Sequence, residues 1–418
     1  MILKDVKHFD MEKPPMRMHL RPLMWTLCGF MRLSHRNKIE KINMDGIKPP
    51  YLLLCNHNAF ADFSVAVPAV FPHRANFVVA IDGFIKREWL LRFIGCICKR
   101  KFTNDNTLIW HLRRVAKRGD IIALYPEARY SLCGTSAVLP DDFGKLAKFL
   151  KIPVVTLVCH GHHINSPFWN LPDHHLKGTR AEMTCILTAE DVKNRDYKEI
   201  GDIIEKSLVY DDFAWQKENG IKINFKNRAD GLHKVLYQCP HCGKEYRMLG
   251  KGDTLKCLEC GKEWFMTELG ELSAKEGVTE FPHIPDWYEW ERANVRREIE
   301  NGEYRFNGKV RVDALPNAKG YIDLGDAELT HDLEGFKLCG SYKGEDYTVF
   351  LPSEKQYSVH IEYEYLGKFG DCVDLNTVTD TFYVYPYGED FAVTKFSLAT
   401  EEMYKYLKEH PKTETANG

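Results

Sequence analysis

The sequence predicts an α/β domain with a mixed, mostly parallel sheet flanked by helices, followed by a small metal-binding ribbon and a β-rich domain. Residues 50–230 alternate short apolar runs with amphipathic stretches, which is typical of strands alternating with helices. Two Cys-x-x-Cys pairs lie between residues 230 and 270, and beyond residue 280 Tyr, Val and Phe alternate with polar residues. A chain of 418 residues is too long for one ordinary domain. We therefore divide it into residues 1–45, 46–228, 229–270 and 271–418.

Residues 1–45 form a basic N-terminal segment with large apolar side chains. Between residues 13 and 39 there are six Lys or Arg residues and no acidic residue, so the net charge is +6. This composition predicts an amphipathic helix on an anionic membrane surface. The alternative is a helix packed on the protein with its arginines in solvent.

The same sequence features predict where the protein resides. No run of 18 apolar residues is present to span a bilayer, and the N-terminus lacks the apolar core of a signal peptide. Thirteen cysteines, an odd number, fit a reducing compartment better than a disulfide framework. We therefore expect a cytoplasmic protein, peripheral on the inner face of the membrane, without a transmembrane span.

The second region contains five predicted strands and three predicted helices. The strands are residues 51–55, 76–80, 121–125, 154–159 and 183–187, and the helices are residues 88–93, 107–116 and 142–150. In largely parallel sheets, the loops at the carboxyl ends of the strands form the site. His57 and Glu127 both follow predicted strands. We therefore expect both at the functional edge of the sheet.

His57 is followed five residues later by Asp62. A carboxylate that holds one imidazole nitrogen in the N–H form leaves the other nitrogen free to take a proton from a hydroxyl. The pair therefore indicates an enzyme that activates an alcohol. The structural alternative is a histidine that satisfies a backbone carbonyl at a helix start. Because so short a pattern also occurs by chance, the neighbouring motifs decide between the two.

Four motifs follow one another between residues 50 and 161. They are Asn-His-x4-Asp from residue 56, Gly-Cys-Ile-Cys-Lys-Arg-Lys from residue 95, Leu-Tyr-Pro-Glu-Ala-Arg-Tyr-Ser from residue 124 and Ile-Pro-Val-Val-Thr-Leu-Val-Cys-His-Gly from residue 152. Their order resembles the glycerolipid acyltransferases of the 1-acyl-glycerol-3-phosphate acyltransferase family. The resemblance covers about residues 50–165 and continues more weakly to about residue 210.

The resemblance implies a reaction and roles for named residues. His57 would deprotonate the acceptor hydroxyl, and Asp62 would orient the His57 ring. The donor would be acyl-CoA or acyl-carrier protein, and the acceptor a lysophospholipid, 1-acyl-glycerol-3-phosphate, in phospholipid biosynthesis. The residues that would bind or organise its headgroup are Arg100, Lys101, Glu127 and Arg129.

The sequence departs from the family pattern after Glu127. The family has Gly-Thr-Arg there, whereas this chain has Ala128-Arg129-Tyr130, so the Arg has moved by one place. This difference leaves the acceptor headgroup open, and a different lysolipid is an alternative. The structural alternative to headgroup binding is that Glu127 and Arg129 form a plain surface ion pair. The basic cluster of the second motif would then be a solvated face. A further alternative is a regulatory protein that binds lipid on this fold without turnover.

Other His and Cys residues of this region are predicted to be structural. The histidines lack the spacing to Asp or Glu that a catalytic metal needs, so we interpret them as loop residues. They are His160, His162, His163, His174 and His175. Cys96 and Cys98 are predicted as buried thiols.

Two copies of one Cys-x-x-Cys-Gly-Lys knuckle form the strongest motif of the chain. The ligands would be Cys239, Cys242, Cys257 and Cys260, with 14 residues between the pairs. Four thiolates complete the coordination sphere, so the predicted zinc is structural. Zinc ribbons often bind nucleic acid, with aromatic residues stacking on the bases. Because acidic residues dilute the positive charge of this ribbon, we instead expect it to join the two larger domains.

Residues 271–418 are predicted as antiparallel strands and a terminal helix. The clearest strands are residues 347–351, 357–365 and 381–387, and the helix is residues 401–410. Five to seven strands and one helix suggest a small barrel or sandwich, with a pleckstrin-like arrangement as one option. The aromatic segment at residues 287–292 is predicted to anchor this domain to the ribbon, and residues 412–418 are predicted to be disordered.

Overall fold

The computed structural model describes residues 2–172, 174 and 176–411. The strands within these ranges form three sheets. His175 and the predicted disordered tail at residues 412–418 lie outside the described residues. Within the described ranges, no helix combines the length and the apolar character needed to cross a membrane.

The first sheet has seven strands and carries the helices of the predicted α/β domain. The strands are β1 Lys38–Ile42, β2 Leu52–Cys55, β3 Ala75–Ala80, β4 Ile97–Lys99, β5 Ile121–Leu124, β6 Val154–His160 and β7 Arg180–Leu187. The helices are α1 Arg21–Ser34, α2 Ala61–Ala69, α3 Glu88–Phe93, α4 Asn106–Lys117, α5 Phe143–Leu150, α6 His162–Asn165, α7 Ala189–Asn194, α8 Tyr197–Ser207 and α9 Asp212–Glu218. The five predicted strands and three predicted helices of this region are confirmed.

The strand order places three loops at one edge of this sheet. The order is β1-β7-β6-β2-β5-β3-β4, and every neighbouring pair is parallel except β6 and β7. All four residues of β2 are buried, as expected for a central strand covered on both faces. Because β2, β5 and β6 are adjacent and parallel, the loops that follow them meet at the same edge.

The second sheet is the predicted ribbon and contacts the helix after it. Its antiparallel strands are β8 Met248–Lys251, β9 Thr254–Cys257, β10 Glu263–Met266 and β11 Leu272–Ala274, and the helix is α10 Ile284–Glu300. The ring centroids of Trp264 in β10 and Trp287 in α10 lie 5.0 Å apart. Trp287 Nε1 also donates to the carbonyl of Gln238, at 2.9 Å. The aromatic segment therefore joins the ribbon to the following domain.

The third sheet confirms the β-rich region as seven antiparallel strands. They are β12 Phe306–Leu315, β13 Ile322–Asp332, β14 Gly335–Tyr342, β15 Glu345–Pro352, β16 His360–Glu362, β17 Cys372–Asn376 and β18 Thr381–Pro386, followed by α11 Val393–Glu409. Their order is β15-β14-β13-β12-β18-β17-β16. One core cluster joins this sheet, the ribbon and the first-domain residues Phe168 and Trp169.

Two predictions for this region are wrong in extent. The strand predicted for residues 357–365 is only β16, because Glu364 and Leu366 have φ of 46° and 54°, a left-handed conformation that ends the strand. The terminal helix begins at Val393 rather than at residue 401. Its first two turns are buried and rich in Ser and Thr, so they lack the polar face by which a surface helix is recognised.

Candidate active site

His57 lies in the loop after β2, with its ring between two tyrosines. The ring centroid is 4.2 Å from that of Tyr125 and 4.4 Å from that of Tyr130. His57 Nδ1 lies 3.2 Å from Asp62 Oδ2. The His57 side chain is 23% exposed and lines a cavity. Since Nδ1 faces the carboxylate, Nε2 is the nitrogen that is free to accept a proton.

Asp62 lies in the first turn of α2 and is buried. Its Oδ2 accepts hydrogen bonds from the backbone N–H groups of Asn58 and Ala59, at 2.6 and 2.9 Å. Its Oδ1 lies 2.6 Å from Nδ1 of a second histidine, His162. Burial alone would raise the pKa of Asp62, yet the hydrogen bonds and charges of His162 and His57 lower it to about 2. The carboxylate is therefore charged at neutral pH and fixed from several sides.

Hydrogen bonds hold the loop that carries His57 from the β6 side and from the β5 side. Asn56 Nδ2 donates to the carbonyl of Cys159 at the end of β6, at 2.9 Å, and Asn56 Oδ1 accepts from the Cys159 N–H, at 2.8 Å. On the β5 side, the N–H of His57 donates to Glu127 Oε1, at 3.1 Å, and its carbonyl accepts from the Ser131 N–H, at 2.8 Å. Because β2 lies between β5 and β6, these bonds fix the His57 backbone from both neighbouring strands.

Glu127 is buried behind this loop and does not line the cavity. Besides the His57 N–H, it accepts from the Ala137 N–H at 3.1 Å and faces the Tyr210 hydroxyl at 3.4 Å. Burial raises the pKa of Glu127 to about 8, against the opposing effect of the Ala137 and His57 N–H groups. This geometry gives Glu127 a part in positioning the loop that carries His57, and direct contact with a headgroup stays a prediction.

A cavity of about 930 Å³ lies between the first domain and the third sheet. Such a volume is near the upper end of ligand sites, which span about 300–1,000 Å³. Apolar side chains cover its inner wall, namely Phe63, Val78, Leu108, Leu112, Leu124, Phe143, Leu146 and Phe149. Charged side chains also reach it, namely Asp82, Arg87, Lys99, Lys101, Asp105, Arg129, Asp142, Lys145, Lys355 and Glu362. The cavity thus combines space for an alkyl chain with charged groups, and His57 lines the same cavity.

The two predicted headgroup arginines both bind the C-terminal domain. Arg100 is 1% exposed and does not line the cavity. Its guanidinium donates to the carbonyls of Leu315 and Pro316, at 2.9 and 3.0 Å, and to the Thr381 hydroxyl at 2.8 Å. Arginine satisfies several fixed acceptors at once, which suits it to such a junction. Lys101, by contrast, lines the cavity.

Arg129 reaches the cavity wall but is committed to helix α11. Its Nη2 donates to Glu401 Oε1 at 2.6 Å, and its Nη1 donates to the Ser397 hydroxyl. Glu401 is fully buried and also accepts from Arg292 at 2.7 Å and Ser358 at 2.8 Å. The shifted arginine of the third motif therefore stabilises the contact between domains, and its role in headgroup binding stays a prediction.

Ala128, which stands at the glycine position of the predicted motif, has an unusual backbone conformation. It has φ of 54°, in the left-handed region that glycine adopts without steric cost. The sharp turn after Glu127 is thus retained here with alanine.

The fold brings three further residues to the His57–Asp62 pair for which the sequence patterns predict no part in a site. The prediction of His162 as a loop residue is wrong, because His162 begins α6 and its ring contacts the Asp62 carboxylate. Tyr125 and Tyr130 flank Glu127 in the third motif, and their rings enclose His57. The sequence signal for the two tyrosines is their position on either side of Glu127 in the third motif. His162 lies 100 residues after Asp62, so only the strand order could have placed it.

The four ribbon cysteines converge as predicted. Their sulfur atoms all lie within 4.8 Å of one another, with Sγ–Sγ distances of 3.8 Å for Cys239–Cys260 and for Cys242–Cys257. A tetrahedral zinc with Zn–S bonds of about 2.3 Å has sulfur–sulfur edges of about 3.8 Å. The glycine after each pair has φ of 76° or 77°. The donor set and its geometry therefore fit a zinc ion.

Comparisons with known proteins found similarities to one part of the chain. Residues 32–160 match the family model described as acyltransferase. Among solved structures, the fold is similar to that of the 1-acyl-sn-glycerophosphate acyltransferase PlsC from Thermotoga maritima, with 12% sequence identity and a TM-score of 0.38. That similarity covers 48% of this chain and 80% of the PlsC chain. A search of curated proteins found no match.

Proposed function

We propose that this chain, which contains an acyltransferase domain at residues 32–160, transfers a fatty acyl group from a thioester to the hydroxyl of a lysophospholipid. The donor would be acyl-CoA or acyl-carrier protein, and the acceptor 1-acyl-glycerol-3-phosphate. The observation that carries this proposal is the histidine–carboxylate pair at the wall of a cavity with an apolar interior. His57 Nδ1 lies 3.2 Å from Asp62 Oδ2, and the ring lines the cavity.

The proposed reaction needs no covalent intermediate on the protein. His57 Nε2 takes the proton of the acceptor hydroxyl as the oxygen attacks the thioester carbon. The new ester C–O bond forms, the C–S bond breaks, and the proton passes to the departing thiolate. Asp62 keeps Nδ1 as the donor nitrogen and stabilises the positive charge that forms on the ring.

The apolar wall supports an acyl chain as one occupant of the cavity. Burying an alkyl chain against it would be favourable by about 0.8 kcal/mol for each methylene removed from water. The charged residues around it would hold the polar ends of donor and acceptor, with Lys101 the cavity residue that the second motif predicts for a phosphate.

An acceptor other than lysophosphatidate is a second candidate, and one observation favours it. Arg100 and Arg129 both satisfy buried acceptors of the C-terminal domain. A buried arginine that left Glu401 for a phosphate would leave that carboxylate with less compensation. The acceptor would then be held by the remaining cavity groups, which carry both signs of charge.

The test is acyl transfer by the full chain from labelled acyl-CoA to a panel of lysolipids. We expect labelled diacyl product from lysophosphatidate. Product from another lysolipid only would support the second candidate. Lipid binding without transfer to any member of the panel would contradict the enzyme and favour a lipid-binding regulatory protein.

The four-cysteine cluster supports a structural zinc ion in the ribbon. Four thiolates leave no open position for a substrate, so the metal would supply folding energy and no chemistry. It would thereby fix the ribbon between the first domain and the third sheet.

Helix α1 supports a membrane-facing surface beside the site. Four large apolar residues lie on one side of this helix, and each is more than half exposed. They are Leu23, Leu27, Phe30 and Leu33. Phe71, which packs on Trp25 of α1 at 4.8 Å, is 55% exposed. Basic residues at the ends of this helix would meet anionic headgroups.

We expect the double substitution Leu27→Glu and Phe30→Glu to release the protein from anionic vesicles. Each glutamate removes apolar contact and adds like charge, so pelleting with phosphatidylglycerol vesicles should fall by at least about tenfold. Deleting residues 1–40 is a poorer test, because it would also remove the buried Met18 and part of β1. Leu258→Glu, at a 56% exposed position in the ribbon, is the matched control. Equal pelleting of the double variant and the control would refute this surface.

A further inference from the structure

A second group of three polar side chains lies in the third sheet, and two of the three line the cavity. His360 and Glu362 lie in β16, and Asp374 lies in β17. His360 and Asp374 are direct partners in the antiparallel pairing. Because side chains two residues apart in a strand point to the same face, Glu362 lies on the face of His360. The pairing therefore brings an imidazole and two carboxylates to one spot.

The three side chains are close together, and the Glu362 side chain alone among them is partly exposed, at 16%. His360 Nδ1 lies 3.5 Å from Asp374 Oδ2, and His360 Nε2 lies 3.7 Å from Glu362 Oε1. One ligand atom from each residue can be chosen so that all three lie within 4.8 Å of one another. His360 and Asp374 are 2% and 3% exposed.

The group is short of hydrogen bonds and of positive charge. Among the residues that the structure describes, His360 Nδ1 has no hydrogen-bond partner. A buried imidazole nitrogen without a partner carries a desolvation cost that a bound ligand would remove. Lys101 is the basic residue whose charge acts on both Glu362 and Asp374. Within the described ranges, however, it forms no ion pair with either carboxylate.

The ligand types indicate a class of cation. Imidazole with two carboxylates suits first-row divalent ions such as Mn²⁺, Fe²⁺ and Zn²⁺, whereas thiolates, as in the ribbon, favour Zn²⁺. Three protein ligands leave coordination positions open. His360 and Glu362 both line the cavity that His57 lines, so open positions would face that space.

The group of three lies near His57, the proposed catalytic histidine, but is separate from the His57–Asp62 pair. Ring contacts lead from His57 to Tyr130 at 4.4 Å, from Tyr130 to Phe168 at 5.7 Å and from Phe168 to His360 at 6.3 Å. A cation here would add positive charge to the part of the cavity wall that the third sheet supplies. Arg100 and Arg129 do not supply that charge freely, because both are bound to the C-terminal domain.

We infer that His360, Glu362 and Asp374 bind one divalent transition-metal ion whose open coordination positions face the catalytic cavity. There the ion would take an anionic oxygen of the acceptor headgroup. This last step rests on the proposed function, whereas the metal site itself does not.

The metal site is tested on the full chain by elemental analysis followed by titration with Mn²⁺ alone. We expect one metal ion per chain beyond the ribbon zinc, either already bound or taken up as Mn²⁺ and followed by electron paramagnetic resonance. His360→Ala and the near-isosteric Asp374→Asn and Glu362→Gln should each weaken this binding by at least about tenfold. Glu364→Gln is the matched control, since its carboxylate is exposed and pairs with Lys234 at 2.8 Å.

Two results would overturn the site. One is wild-type protein that holds metal only at the four cysteines and takes up no Mn²⁺ at millimolar concentration. The other is Mn²⁺ uptake that is unchanged in Asp374→Asn and Glu362→Gln, both verified as folded by circular dichroism.

The headgroup step has its own measurement. In an active wild type, Asp374→Asn should raise KM for an anionic lysolipid by at least about tenfold and leave KM for monoacylglycerol unchanged. Equal effects on both acceptors would refute contact with the headgroup. If no lysolipid is acylated by the wild type, the proposed function fails while the Mn²⁺ result still decides the metal site.

Discussion

His57→Ala is expected to lower acyl transfer by about 10²–10⁴-fold, the usual contribution of a positioned general base. The acceptor hydroxyl would then have no base near it, because the Asp62 oxygens are taken by His162 and by two backbone N–H groups. The measurement is the rate of labelled product formation at saturating donor. Loss of kcat with little change in KM would indicate that His57 acts on the transition state rather than on binding.

The substitution should leave the fold intact. The His57 side chain is 23% exposed, and its removal leaves Asp62 with three of its hydrogen-bond donors. His73→Ala, an exposed histidine of the same domain, is the matched control and should retain wild-type activity. Added imidazole should restore part of the lost rate, since a small base can occupy the space of the missing ring. Activity of His57→Ala equal to that of the control would remove His57 as the base.

The α/β region was predictable because its signals are local. Strands buried on both faces, such as β2 and β5, are short continuous apolar runs, and the helices between them repeat at helical spacing. The His57–Asp62 pair is local as well, since Asp62 lies in the first turn of the helix that follows the His57 loop.

Helix α10 was missed although its spacing carried a signal. Its buried positions recur with helical spacing, at intervals of one to four residues, and they are Ile284, Pro285, Trp287, Tyr288, Glu291, Val295 and Ile299. Glu291 interrupts the apolar stripe of the sequence, yet it is fully buried and accepts the Gln238 N–H at 2.7 Å. A polar residue that closes a hydrogen bond to the ribbon looks like a surface position when the partner is unknown.

The headgroup residues were beyond local reasoning for a different reason. Arg129 contacts Glu401, which lies 272 residues later, and Arg100 contacts Thr381, which lies 281 residues later. A family motif cannot reveal that an added domain supplies partners for its arginines. The same addition brings His360 and Glu362 to the cavity. Residues of both domains therefore line the cavity, whereas the His57–Asp62 pair lies within the first domain alone.

Removing the proposed zinc, by Cys257→Ser or by a strong chelator, is expected to unfold the ribbon. Structural zinc sites contribute about 10–16 kcal/mol of apparent binding free energy in small zinc-finger peptides, and the ribbon has only a small core of its own. Cys257, Leu255 and Trp264 are all 0% exposed. Protease cleavage within residues 229–270 and a red shift of tryptophan fluorescence should accompany the loss of zinc. Cys339→Ser, a partly exposed thiol in β14, is the control and should retain both zinc and the cleavage pattern of the wild type.

The loss should extend beyond the ribbon to the catalytic cavity. Trp264 packs on Trp287 of α10, and Lys395 of α11 binds Glu245 of the ribbon at 2.9 Å. Helix α11 in turn carries Glu401, the partner of Arg129 on the cavity wall. We therefore expect the zinc-free protein to lose acyl transfer together with the melting transition of the C-terminal domain, although His57 is far from the cysteines in sequence. Cys257→Ser protein with wild-type activity and an unchanged melting temperature would show that the ribbon is dispensable, and the docking role would then be wrong.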